Sequence, residues 1–82
     1  MRTPNEIIKG VCQKYGMPKE ELLKRDSTSY YVRARKEATF ILRSELKLSY
    51  PHIARLLNYK DHTSAKYNFE TFIKQNEPKS SS

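Results

Sequence analysis

The sequence predicts an all-α domain, a bundle of five helices. Apolar side chains recur at spacings of three and four residues in the longer segments, as they do along one face of a helix. Residues typical of helix starts and ends separate these segments, and no stretch alternates apolar and polar residues as a strand does. Because 82 residues suffice for one modest core, we expect a single domain over 3–76 and a disordered tail over 77–82.

The first predicted helix begins near Pro4 and ends near Tyr15. Thr3 and Glu6 have the spacing of a capping box, in which each side chain accepts a hydrogen bond from the backbone N–H of the other residue. Pro4 falls at the first helical position, where its missing N–H costs nothing. Gly16 follows the last apolar residue, and we expect it to adopt the left-handed conformation that ends many helices.

The second predicted helix is short. Pro18 stands near its start, acidic residues fill its first turn, and Lys24 and Arg25 come at its end, which suits the helix dipole. The polar segment 26–29 then interrupts the helical pattern, because Asp, Ser and Thr side chains compete for backbone hydrogen bonds. We therefore expect a loop between the second and third helices.

The third predicted helix is the longest and runs over about 31–46. Its apolar stripe comprises Ala34, Ala38, Ile41, Leu42 and Leu46. The cations Arg35, Lys36 and Arg43 are expected to lie off this stripe. The helix should therefore pack by one face and carry positive charge on another.

Two further helices follow with a tight turn between them. Ser49 is a predicted N-cap with Pro51 close behind, and a two-turn helix with one apolar face follows it. Residues 58–60 form the predicted turn. The fifth helix is predicted to begin at Asp61 and to end before Glu77, and its apolar residues are Ala65, Phe69, Phe72 and Ile73. A short helix, a turn and a second helix in this order predict a helix-turn-helix.

The charge of the chain favours a polyanionic partner. Lys and Arg number 16 against 9 Asp and Glu, so the net charge is +7. Ten of the cations and four of the acids lie between Lys24 and Lys66, the segment that contains the predicted helix-turn-helix. A protein of this charge is attracted to nucleic acid first and to an anionic membrane surface second.

Several classes of function are disfavoured by composition. With one cysteine, Cys12, no internal disulfide forms, and no apolar run is long enough for a membrane span or a signal peptide. Two glycines cannot supply a Gly-rich phosphate loop. No spacing of Cys, His and carboxylates indicates a metal site, and no nucleophile has an evident base. We expect a cytoplasmic, nucleoid-associated protein that is not an enzyme and uses neither a cofactor nor a small-molecule substrate.

The start of the fifth helix carries the candidate base-reading residues. Lys60, Thr63, Ser64 and Tyr67 have relative spacings of 0, 3, 4 and 7 and lie opposite the predicted apolar face, with His62 and Lys66 flanking them. Hydroxyl and imidazole groups suit hydrogen bonds to base edges or phosphates. An alternative stays open, because Asp61 is also an ordinary N-cap and hydroxyls in a first turn can satisfy free backbone N–H groups.

Four segments of the chain resemble the C-terminal DNA-binding domain of the bacterial replication initiator family DnaA. They are Arg33–Ala38, Leu42–Leu46, Ser49–Ala54 and Lys60–Ser64, and the resemblance extends from about Glu6 to Ile73. It implies a helix-turn-helix similar to that of the Trp repressor. It also implies that Asp61, His62 and Thr63 face bases in the major groove, with Ser64 in place of the family's second Thr. The same resemblance implies that Arg33 and Arg35 approach the minor groove or phosphates and that Lys60 contacts the backbone.

The chain also departs from the family pattern. Asn58, Tyr59 and Lys60 stand where the family usually has Gly-Gly-Arg, so the turn and the target sequence are expected to differ. The family's ATPase domain is absent from these 82 residues, so replication initiation by this chain alone is not implied.

The resulting hypothesis is sequence-preferring binding of double-stranded DNA, related to replication initiation or its regulation. The predicted DNA-contacting residues are Arg33, Arg35, Lys36, Lys60, Asp61, His62, Thr63, Ser64, Lys66 and Tyr67. On this hypothesis, Arg35→Ala weakens binding to every sequence. The alternative is a protein-interaction module of phage or plasmid type that keeps the initiator-like fold and binds a separate replication or transcription factor.

Overall fold

A computed structural model describes residues 2–24 and 29–76, and within them the chain forms five α-helices and no strand. The helices are α1 (Pro4–Tyr15), α2 (Lys19–Leu22), α3 (Ser29–Leu46), α4 (Tyr50–Leu56) and α5 (His62–Asn76). The all-α prediction is confirmed. The predicted tail over 77–82 and most of the predicted loop over 26–29 lie outside the described residues.

The helix boundaries follow the local signals in the sequence. The Thr3 backbone N–H donates to Glu6 Oε1 over 2.8 Å, and the Glu6 N–H donates to Thr3 Oγ1 over 3.2 Å, so the predicted capping box is present. Gly16 has φ 65° and ends α1 as predicted. The Ser49 hydroxyl accepts from the His52 N–H over 3.4 Å at the start of α4. Helix α3 begins at Ser29, two residues before the predicted start.

The core gathers around α3, which packs against each of the other four helices. Its residues Ala34, Ala38 and Leu42 have no exposed surface, whereas Ile41 and Leu46 of the predicted stripe are half-buried at its margin. The other buried apolar residues are Ile7, Ile8, Val11, Cys12, Met17, Leu22, Ile53, Ala54, Leu57 and Ala65. All five helices therefore share one core, and α5 is held against it from its first turn.

Aromatic rings fix the middle and later part of α5. The Phe40 ring of α3 stacks with Phe69 and Phe72 of α5, with centroid distances of 5.8 and 4.9 Å. Tyr50 of α4 lies 6.1 Å from the Phe69 ring. Because Ala65 and this cluster bury one face of α5, the opposite face of its first two turns is left to solvent. None of the helices in the described part of the chain has the length and apolarity that crossing a membrane requires.

Candidate nucleic-acid interface

The turn between α4 and α5 depends on a left-handed residue. Asn58 has φ 60°, a conformation that Asn tolerates better than other residues with a Cβ. The Leu57 N–H donates to the Ile53 carbonyl, and the Tyr59 N–H donates to the Ala54 carbonyl, each over 2.9 Å. These bonds satisfy carbonyls at the end of α4 and reverse the chain direction. The tight turn predicted over 58–60 is thus present without glycine.

Tyr59 fixes the turn to α3. Its ring is half-buried, and its hydroxyl lies 2.8 Å from Thr39 Oγ1. The Thr39 hydroxyl donates its single hydrogen to the Arg35 carbonyl over 2.7 Å, so Tyr59 must donate to Thr39. Burial raises the pKa of Tyr59 to about 12, against a smaller lowering effect of the Arg35 charge. The phenol therefore remains a donor at physiological pH.

Replacing Tyr59 by Phe is expected to lower the free energy of unfolding by about 1 kcal/mol, because the hydrogen bond to Thr39 is lost while Thr39 keeps its bond to Arg35. The folded pKa lies above the ordinary value of 10.0, so this tyrosine stabilises the fold below about pH 10 and the contribution is lost as the pH rises through about 12. Urea unfolding at pH 7 and pH 11 measures both effects. A double-mutant cycle with Thr39→Val is the control, and additivity of the two changes would contradict a direct bond.

Arg35 is buried rather than presented to a groove. It is 8% exposed, and its Nη1 donates to the Leu22 carbonyl over 3.5 Å and to the Lys24 carbonyl in a closer contact. Asn58 Nδ2 donates to the intervening Leu23 carbonyl over 2.9 Å. We call Arg35, Asn58 and the carbonyls of residues 22–24 the polar clamp. It satisfies carbonyls at the C-terminus of α2, which have no partner within so short a helix.

The expectation that Arg35 lies away from the packed side of α3 is therefore wrong, whereas its contact with DNA stays a prediction that this burial disfavours. The guanidinium is used inside the domain, where it joins α3 to the end of α2. A buried Arg in this setting is stabilised by carbonyl acceptors rather than by phosphates. Arg35→Ala should consequently act on stability before it acts on binding.

The first turn of α5 is capped by Asp61. Its Oδ1 accepts from the Ser64 N–H over 3.1 Å, so the capping role that the sequence left open for Asp61 is confirmed. Ser64 is half-buried, and its carbonyl accepts from Asn68 Nδ2 over 2.7 Å. Asp61 thus orients the N-terminus of α5, and Ser64 is less accessible than its position in the sequence suggested.

Most of the predicted site residues lie together around the N-terminus of α5. The exposed ones are Lys60, Asp61, His62, Thr63, Lys66 and Tyr67, and Tyr67 retains 64% of its accessible surface. We call these six residues the α5 face. Neither of its lysines is paired with a carboxylate among residues 2–24 and 29–76. In the same residues no group of three His, Cys, Asp or Glu side chains could hold a metal ion.

Arg33 and Lys36 are not part of this group. Both line a groove together with Phe72 and Gln75 in the last turns of α5. Phe72 is ten residues beyond His62, which corresponds to about 15 Å along the helix axis. The structure therefore separates these two cations from the α5 face.

Sequence reasoning assigned no specific contact to Asn58, Tyr59 or Thr39, which position the helix-turn-helix. The signal available for Asn58 was its residue type at a tight turn, since Asn is the commonest substitute for a left-handed glycine. Tyr59 and Thr39 are 20 residues apart and carry no local pattern that pairs them.

Comparison with known proteins supports the resemblance found in the sequence. The family model described as "Bacterial dnaA protein helix-turn-helix" matches residues 4–71. The chain is 36% identical over 62 residues to the chromosomal replication initiator protein DnaA 1 of Chlamydia muridarum, with 76% of this chain and 13% of that protein covered. The corresponding protein of Chlamydia pneumoniae is 37% identical over the same coverage.

A more distant relative is the chromosomal replication initiator protein DnaA of Chloroflexus aggregans, which is 32% identical over 69 residues. That alignment covers 84% of this chain and 14% of the relative. The chain thus spans about one seventh of the length of the curated relatives that it matches. No solved structure matches it.

Proposed function

Because this chain belongs to the bacterial DnaA helix-turn-helix family, we propose that it binds double-stranded DNA with a sequence preference, in replication initiation or in its regulation. The observation that carries the proposal is the α5 face, a set of exposed polar and cationic side chains at the N-terminus of the second helix of the helix-turn-helix. In this class of protein the second helix enters the major groove and its N-terminal residues contact base edges.

His62 and Thr63 are the residues that we assign to base reading. They are exposed in the first turn of α5, and neither forms a side-chain hydrogen bond within the described residues. A Thr hydroxyl donates to or accepts from a base edge while its methyl packs on a thymine methyl, and imidazole bonds a purine acceptor. One carboxylate oxygen of Asp61 accepts the capping hydrogen bond from the Ser64 N–H, and the other is available to accept from a cytosine amino group.

The other residues of the α5 face are assigned to the DNA backbone. Lys60 precedes the helix, and Lys66 and Tyr67 lie one turn further along it. An ammonium group neutralises a phosphate without reading sequence, so Lys60→Ala and Lys66→Ala act on every duplex alike. Ser64 is half-buried, and its backbone N–H donates to Asp61. We therefore assign Ser64 to the positioning of Asp61 rather than to a DNA contact by its hydroxyl.

The experiment begins with selection of duplexes from a random pool, followed by fluorescence anisotropy on the selected and a scrambled duplex. We expect Thr63→Ala to weaken binding to the selected duplex by about tenfold, because one base contact contributes roughly 1–3 kcal/mol of discrimination. Binding to the scrambled duplex should change by less than about twofold, since phosphate contacts remain.

Thr71→Ala is the matched control, since Thr71 lies on the same helix but donates its hydroxyl to the Tyr67 carbonyl over 2.6 Å. This variant should leave the ratio of the two affinities unchanged. Equal losses on both duplexes for Thr63→Ala would remove the base-reading assignment. If the unaltered chain bound neither duplex at low salt, the protein-interaction alternative would replace DNA binding.

A further inference from the structure

A second surface lies near the last turns of α5, about 15 Å along that helix from its N-terminal turn. It is a groove between the end of α1, the start of α3 and the last turns of α5, and we call it the α1–α3–α5 groove. Its lining residues are Tyr15, Ser29, Val32, Arg33, Lys36, Glu37, Phe72 and Gln75. Tyr15, Val32 and Phe72 are half-buried and supply apolar surface, whereas exposed Arg33 and half-buried Lys36 supply positive charge.

The described residues that line the groove carry a net positive charge, because the one carboxylate among them, Glu37, is already neutralised. Glu37 Oε2 accepts from Lys14 Nζ over 2.8 Å, and its Oε1 accepts from the Tyr15 hydroxyl over 3.0 Å. Burial, followed by the hydrogen bond to Glu37, raises the pKa of Tyr15 to about 12, so the phenol remains a donor. Arg33 and Lys36 have no carboxylate partner among residues 2–24 and 29–76.

The position of the groove favours a protein ligand over DNA. It adjoins the last turns of α5, about 15 Å along the axis from the N-terminal turn, which is the end that rests in a DNA groove if the proposed function holds. Both surfaces are then open at once. A groove lined by apolar side chains and by two cations complements an acidic segment that carries a large apolar side chain.

We propose that the α1–α3–α5 groove binds an acidic segment of a partner protein, with an apolar side chain against Val32 and Phe72 and carboxylates on Arg33 and Lys36. Arg suits this role because its guanidinium can hold a carboxylate by two parallel hydrogen bonds. The groove gives the domain a means of recruitment that is independent of the α5 face.

The test uses the full 82-residue chain, labelled with ¹⁵N, and the capped peptide Glu-Glu-Leu-Phe-Glu-Glu as probe. On addition of the peptide, we expect the backbone amide chemical shifts of residues 32–37 and 72–75 to change and to reach saturation. Changes at residues 60–64 alone are not expected. Arg33→Glu combined with Lys36→Glu should weaken binding of the peptide by at least about tenfold, equivalent to about 1.4 kcal/mol. The control is Lys9→Glu with Lys19→Glu, two exposed cations outside the groove, which makes the same change in net charge and should have less than about a twofold effect.

Three outcomes would overturn the proposal. Equal weakening by both double variants, or equal binding of a peptide with Ser-Ser in place of Leu-Phe, would mean non-specific attraction by net charge. A loss of duplex binding in the groove variant well beyond that of the control would assign Arg33 and Lys36 to DNA instead.

Thermal unfolding checks that the variants fold, and Arg33→Gln with Lys36→Gln replaces the charge reversal if they do not. Peptide and duplex binding are measured separately, so either proposal can fail without the other.

Discussion

Arg35→Ala is expected to lower the free energy of unfolding by about 3 kcal/mol, one of the largest effects of any single change in this domain. Hydrogen bonds from a charged donor contribute roughly 1.5–3 kcal/mol, and the truncation also empties the buried space of the side chain and removes donors from the Leu22 and Lys24 carbonyls. Since small domains have only about 5–15 kcal/mol of stability in total, the melting temperature should fall by more than 10 °C.

Chemical denaturation measures this change, and two variants serve as controls. Arg33→Ala removes a cation of the same type two residues away on the exposed side of α3 and should change stability by less than about 0.5 kcal/mol. Arg35→Lys keeps the charge without the planar fork and should recover part of the loss. If Arg35→Ala had the same free energy of unfolding as the original chain but bound every duplex more weakly, the guanidinium would be a DNA contact.

Asn58→Val is expected to cost about 3 kcal/mol, also measured by chemical denaturation. A β-branched residue at φ 60° is strained by roughly 1–3 kcal/mol, and the hydrogen bond to the Leu23 carbonyl is lost as well. The strain falls on the turn that aims α5, so binding to the selected duplex should weaken by more than stability alone explains.

Asn58→Gly separates the two contributions. Glycine adopts the left-handed conformation without strain, so this variant loses the side-chain interactions, including the bond to the Leu23 carbonyl, and should cost about 1 kcal/mol. Equal losses for valine and glycine would show that the conformation at residue 58 does not limit the turn.

The parts of the fold that could be predicted from sequence are those determined within one turn of helix. Thr3 and Glu6 are three residues apart, Ser49 caps a residue three positions later, and Gly16 closes the helix that precedes it. Such pairs meet whenever the helix forms, because the backbone alone brings them together. The exposed side of α5 was predictable for a similar reason, since a helical period fixes which residues oppose Ala65.

The contacts that sequence could not supply join residues far apart in the chain. Arg35 reaches carbonyls 11 and 13 residues earlier, and nothing in its neighbourhood distinguishes it from exposed Arg33. Its burial depends on how the end of α2 meets α3. The separation of Arg33 and Lys36 from the α5 face likewise depends on which turns of α3 and α5 are in contact.

The polar clamp also bears on how sequences of this kind can diverge. Arg35 and Asn58 bind backbone oxygens of residues 22–24, and every residue type offers the same oxygen. Half-buried Leu23 and exposed Lys24 can therefore change without loss of these bonds, whereas buried Leu22 remains constrained by the core. Substitutions should thus accumulate at the end of α2 faster than at positions 35 and 58, although the same hydrogen bonds join them.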